Sequence, residues 1–279
     1  MSEKQVIVRV KRQAGPKQPW HWEEFALKWR PSMNVIICLR DIAENPVTRD
    51  GKKTTPVSYE SNCLEEVCGS CAMVINGRVK MACSALVDNL EQPIRLEPMT
   101  KFPVVRDLAV DRQFMFESLK RVKAWIPIDG TYNLGEGPRM APEIQEKGYP
   151  LSRCISCGSC LEVCPQVNEG NKFVGAAIIS QVRLFNMHPT GAMHAKERIQ
   201  ALLGPGGIQE CANAQNCVGS APSRSLSPNL SRRSTAKPGS SPSSAGSSAN
   251  FVFRDRPSDD LEGVPFFALF LREEWVVTI

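Results

Sequence analysis

The hydrophobic pattern changes period partway along the chain. QVIVRV at residues 5–10 is a β-branched run and predicts an opening strand. A turn-prone stretch, Pro31–Asn34, precedes the apolar run Val35–Leu39, which predicts a second extended segment. Met73–Ile75 and Arg78–Met81 flank Asn76-Gly77, a pair suited to a two-residue hairpin turn because both positions need positive φ. Residues 93–111 carry three prolines and read as a connector between domains. From Asp111 the period turns helical: Asp111 is placed as an N-cap, and Met115, Leu119 and Val122 recur at i, i+4 and i+7. A Gly/Pro-rich loop is expected over Ile126–Pro138, then helices over Ala176–Met187 and His194–Leu203, the latter closed by Gly204. The second half is therefore mostly helical. Ser223–Asn250 is Ser/Pro/Gly-rich with no apolar period and cannot bury a core, so a disordered C-terminal tail is expected. Phe266–Leu271 is apolar but too short to span a membrane.

Of the totals, cysteine changes the picture most. The 279 residues suit about two domains. They include Cys38, Cys63, Cys68, Cys71, Cys83, Cys154, Cys157, Cys160, Cys164, Cys211 and Cys217. Met1–Arg12 is polar and basic without the apolar stretch of a signal peptide, so metal ligation in a reducing compartment is expected rather than disulfides. A net charge of +5 with no long basic block gives no reason to invoke nucleic acid. Cys38 has no partner at ligand spacing and is expected as a small buried residue. Glu65 and Glu66 read as solvated loop acids. His188 and His194 bracket a Pro-Thr-Gly turn and read as surface or capping groups, and His21, between Trp20 and Trp22, as a surface residue.

CISCGSCLEVCP, residues 154–165, is the densest chemistry. Its cysteines are separated by two, two and three residues and followed by proline, the bacterial-ferredoxin spacing. In that pattern Cys154, Cys157 and Cys160 wrap one cubane and Cys164 points to a different cluster; Gly158 is expected to let backbone approach the cluster closely. Cys63, Cys68, Cys71 and Cys83 have gaps of four, two and eleven residues, the first two matching the plant-type [2Fe–2S] loop. Folding at Asn76-Gly77 returns Cys83 to Cys71. Cys164, Cys211 and Cys217 remain for one more centre, a three-thiolate set that suits [3Fe–4S]. The competing reading is a non-catalytic scaffold whose cysteines close two or three zinc sites. Four cysteines within eleven residues plus the trailing proline favour iron–sulfur clusters.

SNCLEEVCGSCAMVINGRVKMAC, LEQPIRLEPMTKFPVVRDLAVDR, CISCGSCLEVCP and GGIQECANAQNCV together resemble the iron–sulfur subunit of succinate dehydrogenase and fumarate reductase, over roughly residues 1–218. The resemblance implies an N-terminal β-grasp ferredoxin domain (1–108) followed by a helical bacterial-ferredoxin domain (109–218), an α+β chain. It implies [2Fe–2S] at Cys63, Cys68, Cys71 and Cys83, [4Fe–4S] at Cys154, Cys157 and Cys160, and [3Fe–4S] at Cys164, Cys211 and Cys217. Electrons would pass from an FAD-containing flavoprotein, where succinate and fumarate interconvert, to quinone at a cytochrome b-type membrane anchor. The subunit would sit peripherally on the cytoplasmic face of the bacterial plasma membrane, and substrate chemistry would occur elsewhere. The iron–sulfur subunit of a related reductase is the alternative within this class.

Two departures stand out. Many family members place a tryptophan shortly after the Cys-Pro and a histidine after the penultimate cysteine; this chain has Gln166–Gly170 and Ala212 there, which points to menaquinone. The family also continues after the last shared cysteine with three residues, Cys and Pro, and that cysteine is the fourth [4Fe–4S] ligand. Here Val218, Gly219 and Ser220 lead to Ala221-Pro222, so the ligand is missing and residues 219–279 read as an out-of-frame tail. Gly219–Leu226 is encodable as GGG TCT GCC CCA AGC AGA TCC CTC. Read from the last base of the first codon, the same bases give Val-Cys-Pro-Lys-Gln-Ile-Pro, which restores the motif. The intact mass of the subunit isolated from the host's membranes is expected to fit the restored frame; a mass matching the 279-residue chain would make the tail genuine.

Overall fold

The computed structural model describes residues 4–126 and 137–222, and the alternation in its first strand sets the sheet. In β1 (Gln5–Gln13) every second residue from Val6 points inward, so Val6, Val8 and Val10 are fully buried and the same register carries Arg12 inside. β2 (Trp20–Lys28) runs antiparallel beside it, with Phe25 opposite Val8. Three further strands complete a mixed five-stranded sheet in the order β2-β1-β5-β3-β4: β3 (Ala72–Ile75), β4 (Arg78–Met81) and β5 (Ile94–Glu97). β5 is parallel to β1 and antiparallel to β3, which aligns Val10, Leu96 and Ile75 in one buried row.

The expected hairpin forms, with Asn76 at φ 51° and Gly77 at φ 78°. The extended segment expected at Val35–Leu39 is instead the start of helix α1 (Val35–Glu44). Asn34 caps it by accepting the Ile37 N–H at 2.9 Å, and Val35, Cys38, Leu39 and Ile42 form an inward stripe. Three β-branched or apolar residues suggested a strand, but the run continues with helical period. The connector expected over residues 93–111 contains β5 and a short pair, β6 (Val104–Arg106) with β7 (Ala109–Val110).

Helices follow. α2 (Gln113–Arg121) starts one residue later than expected, with Arg112 at the N-cap and Asp111 Oδ1 accepting the Gln113 N–H at 2.8 Å. α3 (Pro142–Ser152) was hidden by Gly148 and Pro150, but Pro142 opens it and Pro150 falls in its last turn. α4 (Ser159–Glu162) lies within the densest cysteine run, and α5 (Gly175–Met187) and α6 (Ala195–Leu203) match the expected helices, with Gly204 as C-cap. A two-residue pair, β8 (Val167–Asn168) and β9 (Asn171–Lys172), separates α4 from α5, and α7 (Asn216–Ser220) closes the described chain. α5 is buried around most of its circumference from Gly175 to Val182, and α2, α3, α4 and α6 all pack on it. The described residues fall in one compact unit, a mixed sheet followed by helices. Most of the loop expected at Ile126–Pro138 and all but the first four residues of the 219–279 tail lie outside the described residues. No helix among the described residues is long and apolar enough to cross a membrane.

Arg12 meets its counter-charge from far along the chain. Its Nε and Nη2 donate to Asp107 at 3.0 and 3.3 Å, and Nη1 donates to Glu23; the Asp107 oxygens also accept the Gln13 and Ser58 N–H groups. Both side chains of the central pair are almost completely buried, at 5% and 2% exposure. The network ties β1 to the turn before β7 and to the strand-free segment that leads into the first cysteine loop. Arg12→Met leaves the buried Asp107 with only the distant, half-exposed Arg106 at 4.0 Å as a counter-charge, a loss of about 3–5 kcal/mol. The thermal midpoint of the purified complex is therefore expected to fall by roughly 10 °C, measured by calorimetry.

Candidate metal centres

The first cysteine loop has almost no regular structure, because its backbone winds around sulfur. Leu64 (φ 63°), Glu66 (φ 57°) and Gly69 (φ 73°) adopt left-handed conformations that turn successive N–H groups inward. Glu65 and Val67 donate their N–H groups to Cys63 Sγ, each at 3.4 Å. The Cys68 thiol is pulled down to about 6, first by the Ser70 hydroxyl and then by the Cys63 and Ser70 N–H groups. The hairpin brings Cys83 back so that its Sγ lies 3.4 Å from that of Cys71. Two thiolates sharing one tetrahedral metal at ~2.3 Å stand about 3.7 Å apart, so this pair is spaced for a shared metal. Burial, then the bond to Cys71, pushes the Cys83 thiol up to about 11, and Cys63 also acts on it. The four sulfurs form one group. Glu65 and Glu66 are exposed, as expected of loop acids.

The second group is assembled at α4. Ser156 (φ 50°) and Gly158 (φ 83°) wind the chain into it, and Cys157 Sγ lies 3.1 Å from Ser159 Oγ. Burial raises the Cys160 thiol, and Cys157, Cys154 and, further down, Cys217 add to that effect. Gly158 also has a reason outside the cysteine run: a Cβ there would lie 2.9 Å from the Phe102 ring. The ring of the sheet-side linker occupies that space. Glu162 completes the joint, accepting from the N–H and hydroxyl of Thr100 and the N–H of Lys101 at 2.7–2.9 Å.

The third group draws Cys164, Cys211 and Cys217 together. Burial raises both Cys211 and Cys217, with Cys164 acting on each of them and Cys211 also acting on Cys217. Asn213 donates its N–H to Cys211 Sγ at 3.4 Å. Cys217 thus acts on Cys160 as well as on the third group. Ala221, the sequence position at which a fourth ligand for the second group is expected, is half-buried at the end of α7 and carries only a methyl group. Among the described residues, no three Cys, His, Asp or Glu side chains are gathered for a single metal ion. His188 accepts the Gly191 N–H at 3.3 Å and His194 pairs with Glu197, both local turn contacts.

Sequence reasoning missed the residues that hold the loops. Gly69, inside the first loop, touches the second: a Cβ there would meet Ile155 O at 2.5 Å and Cys157 Cα at 2.8 Å. Arg112 grips the same segment through Gly69 O and Ser70 O at 2.9 and 2.7 Å. Gly69 carries a weak signal, as the glycine of Cys-Gly-Ser-Cys; Arg112 carries none.

Residues 7–117 match the family described as a 2Fe-2S iron-sulfur cluster binding domain. The chain is 57% identical over 224 residues to the succinate dehydrogenase iron-sulfur subunit of Bacillus subtilis, covering 80% of this chain and 88% of that protein. It is 30% identical over 200 residues to the fumarate reductase iron-sulfur subunit of Wolinella succinogenes, covering 71% and 81%. Among solved structures, a chain of the Mycobacterium smegmatis Sdh1 complex in the apo form has the same fold, with a TM-score of 0.65 at 24% identity over 80% of this chain and 90% of that one.

Cys38 stands apart from all three groups, fully buried in α1, and burial pushes its thiol up to about 12. The thiolate is the reactive form, so Cys38 in the native complex is expected to resist alkylation through pH 10 and to react once the chain is unfolded, read by peptide mass mapping. A folded value above the unfolded one leaves stability intact below about pH 8.5 and erodes it above, as the unfolded chain ionises first.

Proposed function

Since the chain belongs to the iron–sulfur subunit family of succinate dehydrogenase and fumarate reductase, we propose that its three cysteine groups hold three different clusters in series. It is an electron-transfer subunit of that oxidoreductase. Cys63, Cys68, Cys71 and Cys83 hold [2Fe–2S]; Cys154, Cys157 and Cys160 hold [4Fe–4S]; Cys164, Cys211 and Cys217 hold [3Fe–4S]. The N-terminal ferredoxin domain, residues 1–108, is of β-grasp type, and residues 109–218 form a helical ferredoxin domain. What supports the series most is that Cys71 and Cys83 Sγ lie 3.4 Å apart and that the sulfurs act on one another mostly within the three groups, with Cys217 acting on Cys160 as well.

Clusters of these types accept and release one electron at a time, which suits a flavin that gives up two. The residues of the chain supply the surroundings. N–H groups are aimed at Cys63 Sγ, and hydrogen bonds to Cys68 favour its thiolate form, which metal ligation requires. Burial of Cys160 keeps water from the second group, and Gly69 brings the first and second loops into direct contact. Substrate chemistry falls to an FAD-containing flavoprotein partner, so no residue here is catalytic. The electron leaves through a cytochrome b-type membrane anchor to quinone, with menaquinone favoured by Ala212 and the Gln166–Gly170 segment. The subunit sits peripherally on the cytoplasmic face of the bacterial plasma membrane.

With Ala221 as written, the [4Fe–4S] site has three thiolates from this chain and is prone to lose iron. Metal analysis and turnover of the complex purified from host membranes test the proposal. Iron with acid-labile sulfide, and succinate-dependent reduction of a menaquinone analogue, are expected. Colourless protein with zinc and no labile sulfide would establish the scaffold reading instead.

A further inference from the structure

Arg112 is held where a fixed positive charge acts on the first centre. Its side chain is only 10% exposed, and its two terminal nitrogens donate to the carbonyls of Gly69 and Ser70, the two residues between Cys68 and Cys71. A trans peptide points its carbonyl and its N–H in opposite directions. The unit whose carbonyl belongs to Gly69 carries the Ser70 N–H, which therefore points away from Arg112, between Cys68 and Cys71. By gripping the carbonyl, Arg112 aims the N–H at sulfur. Among the described residues, Arg112 Nε is buried without a hydrogen-bond partner, a donor left for an acceptor outside the chain's own groups. Among the described residues, the carboxylate paired with the guanidinium is Glu60, half-exposed at 3.6 Å. The same Gly69 is the point at which the first cysteine loop touches the backbone of the second.

We propose that Arg112 is a positioning residue that sets the reduction potential of the [2Fe–2S] centre and holds the Gly69 contact through which its electron passes on. The inference rests on the assignment of Cys63, Cys68, Cys71 and Cys83 to that centre. One electron arrives from the flavoprotein and adds one negative charge; one leaves for the next centre, and no proton is needed. A guanidinium cannot be deprotonated in a protein, and a largely buried charge is weakly screened, so Arg112 stabilises the reduced state. Hydrogen bonding and charge around the sulfurs are the levers by which a protein tunes such a centre.

The complex is purified from host membranes with Arg112→Gln, Arg112→Lys or Glu60→Gln, and the [2Fe–2S] EPR signal is followed against ambient potential. Arg112→Gln is expected to lower the reduced-to-oxidised ratio at fixed potential about tenfold, about 59 mV for a one-electron couple. Arg112→Lys keeps the charge and stays near the unsubstituted value, but loses the two-pronged grip, so relaxation of the [2Fe–2S] signal by the neighbouring centre weakens. Glu60→Gln removes the opposing carboxylate and shifts the potential upward. An unchanged potential in Arg112→Gln with the signal intact overturns the proposal. Should that variant assemble no centre, Glu60→Gln decides: an upward shift supports the proposal and no shift overturns it. Absence of the [2Fe–2S] signal from the unsubstituted complex would overturn the ligand assignment itself.

Discussion

A thiol must lose its proton to hold a metal, yet burial opposes that loss, and the structure is arranged around this conflict. Cys160, Cys211 and Cys217 are pushed up by burial, while Cys68, at the loop surface, is pulled down by hydrogen bonds. On the proposed assignment, loading would release protons, most of all at the buried second and third groups, and the energy of ligation would become part of folding. Helices α4 and α7 are four and five residues long, too short to persist alone. On the proposed assignment, ligation of Cys160 and Cys217 would supply what propensity does not. The sheet, with its own apolar row of Val10, Leu96 and Ile75, depends on the metal far less.

Three devices keep the sulfur groups in register across the joint between sheet and helices. Glu162 accepts three bonds from Thr100 and Lys101, Phe102 lies over Gly158, and Gly69 rests on Cys157. Each joins a residue inside a cysteine motif to something outside that motif. The sheet side is braced in turn by Arg12 and Asp107, which fasten β1 to the segment leading into the first loop. On the helical side Arg198, fully buried, donates to the carbonyls of Lys123, Trp125 and Gly191 and to Asn186, fixing the segment after α2 to α5 and α6.

Features with a local cause were legible in the sequence. The Asn76-Gly77 hairpin, the β-branched run of β1 and the helical period of α5 and α6 each depend on near neighbours, and the cysteine spacing is itself chemistry. Where a local signal competed with another, the reading failed: β-branched Val35–Ile37 masked the Asn34 cap of α1, and Pro150 masked α3. β5 was hidden between prolines because its strand character comes from its neighbours β1 and β3. The joints were invisible for a further reason. Arg12 and Asp107 are 95 positions apart and Arg112 and Gly69 are 43 apart, and no periodicity in one sequence links such pairs.

The central claim, a subunit that carries three unlike clusters in series, is tested most directly by the Mössbauer spectrum of the complex purified from iron-57-grown host cells. The account predicts overlapping components of [2Fe–2S], [4Fe–4S] and [3Fe–4S] centres in the fraction that contains this chain. A spectrum lacking any of the three, in a complex whose partners are intact, would contradict it.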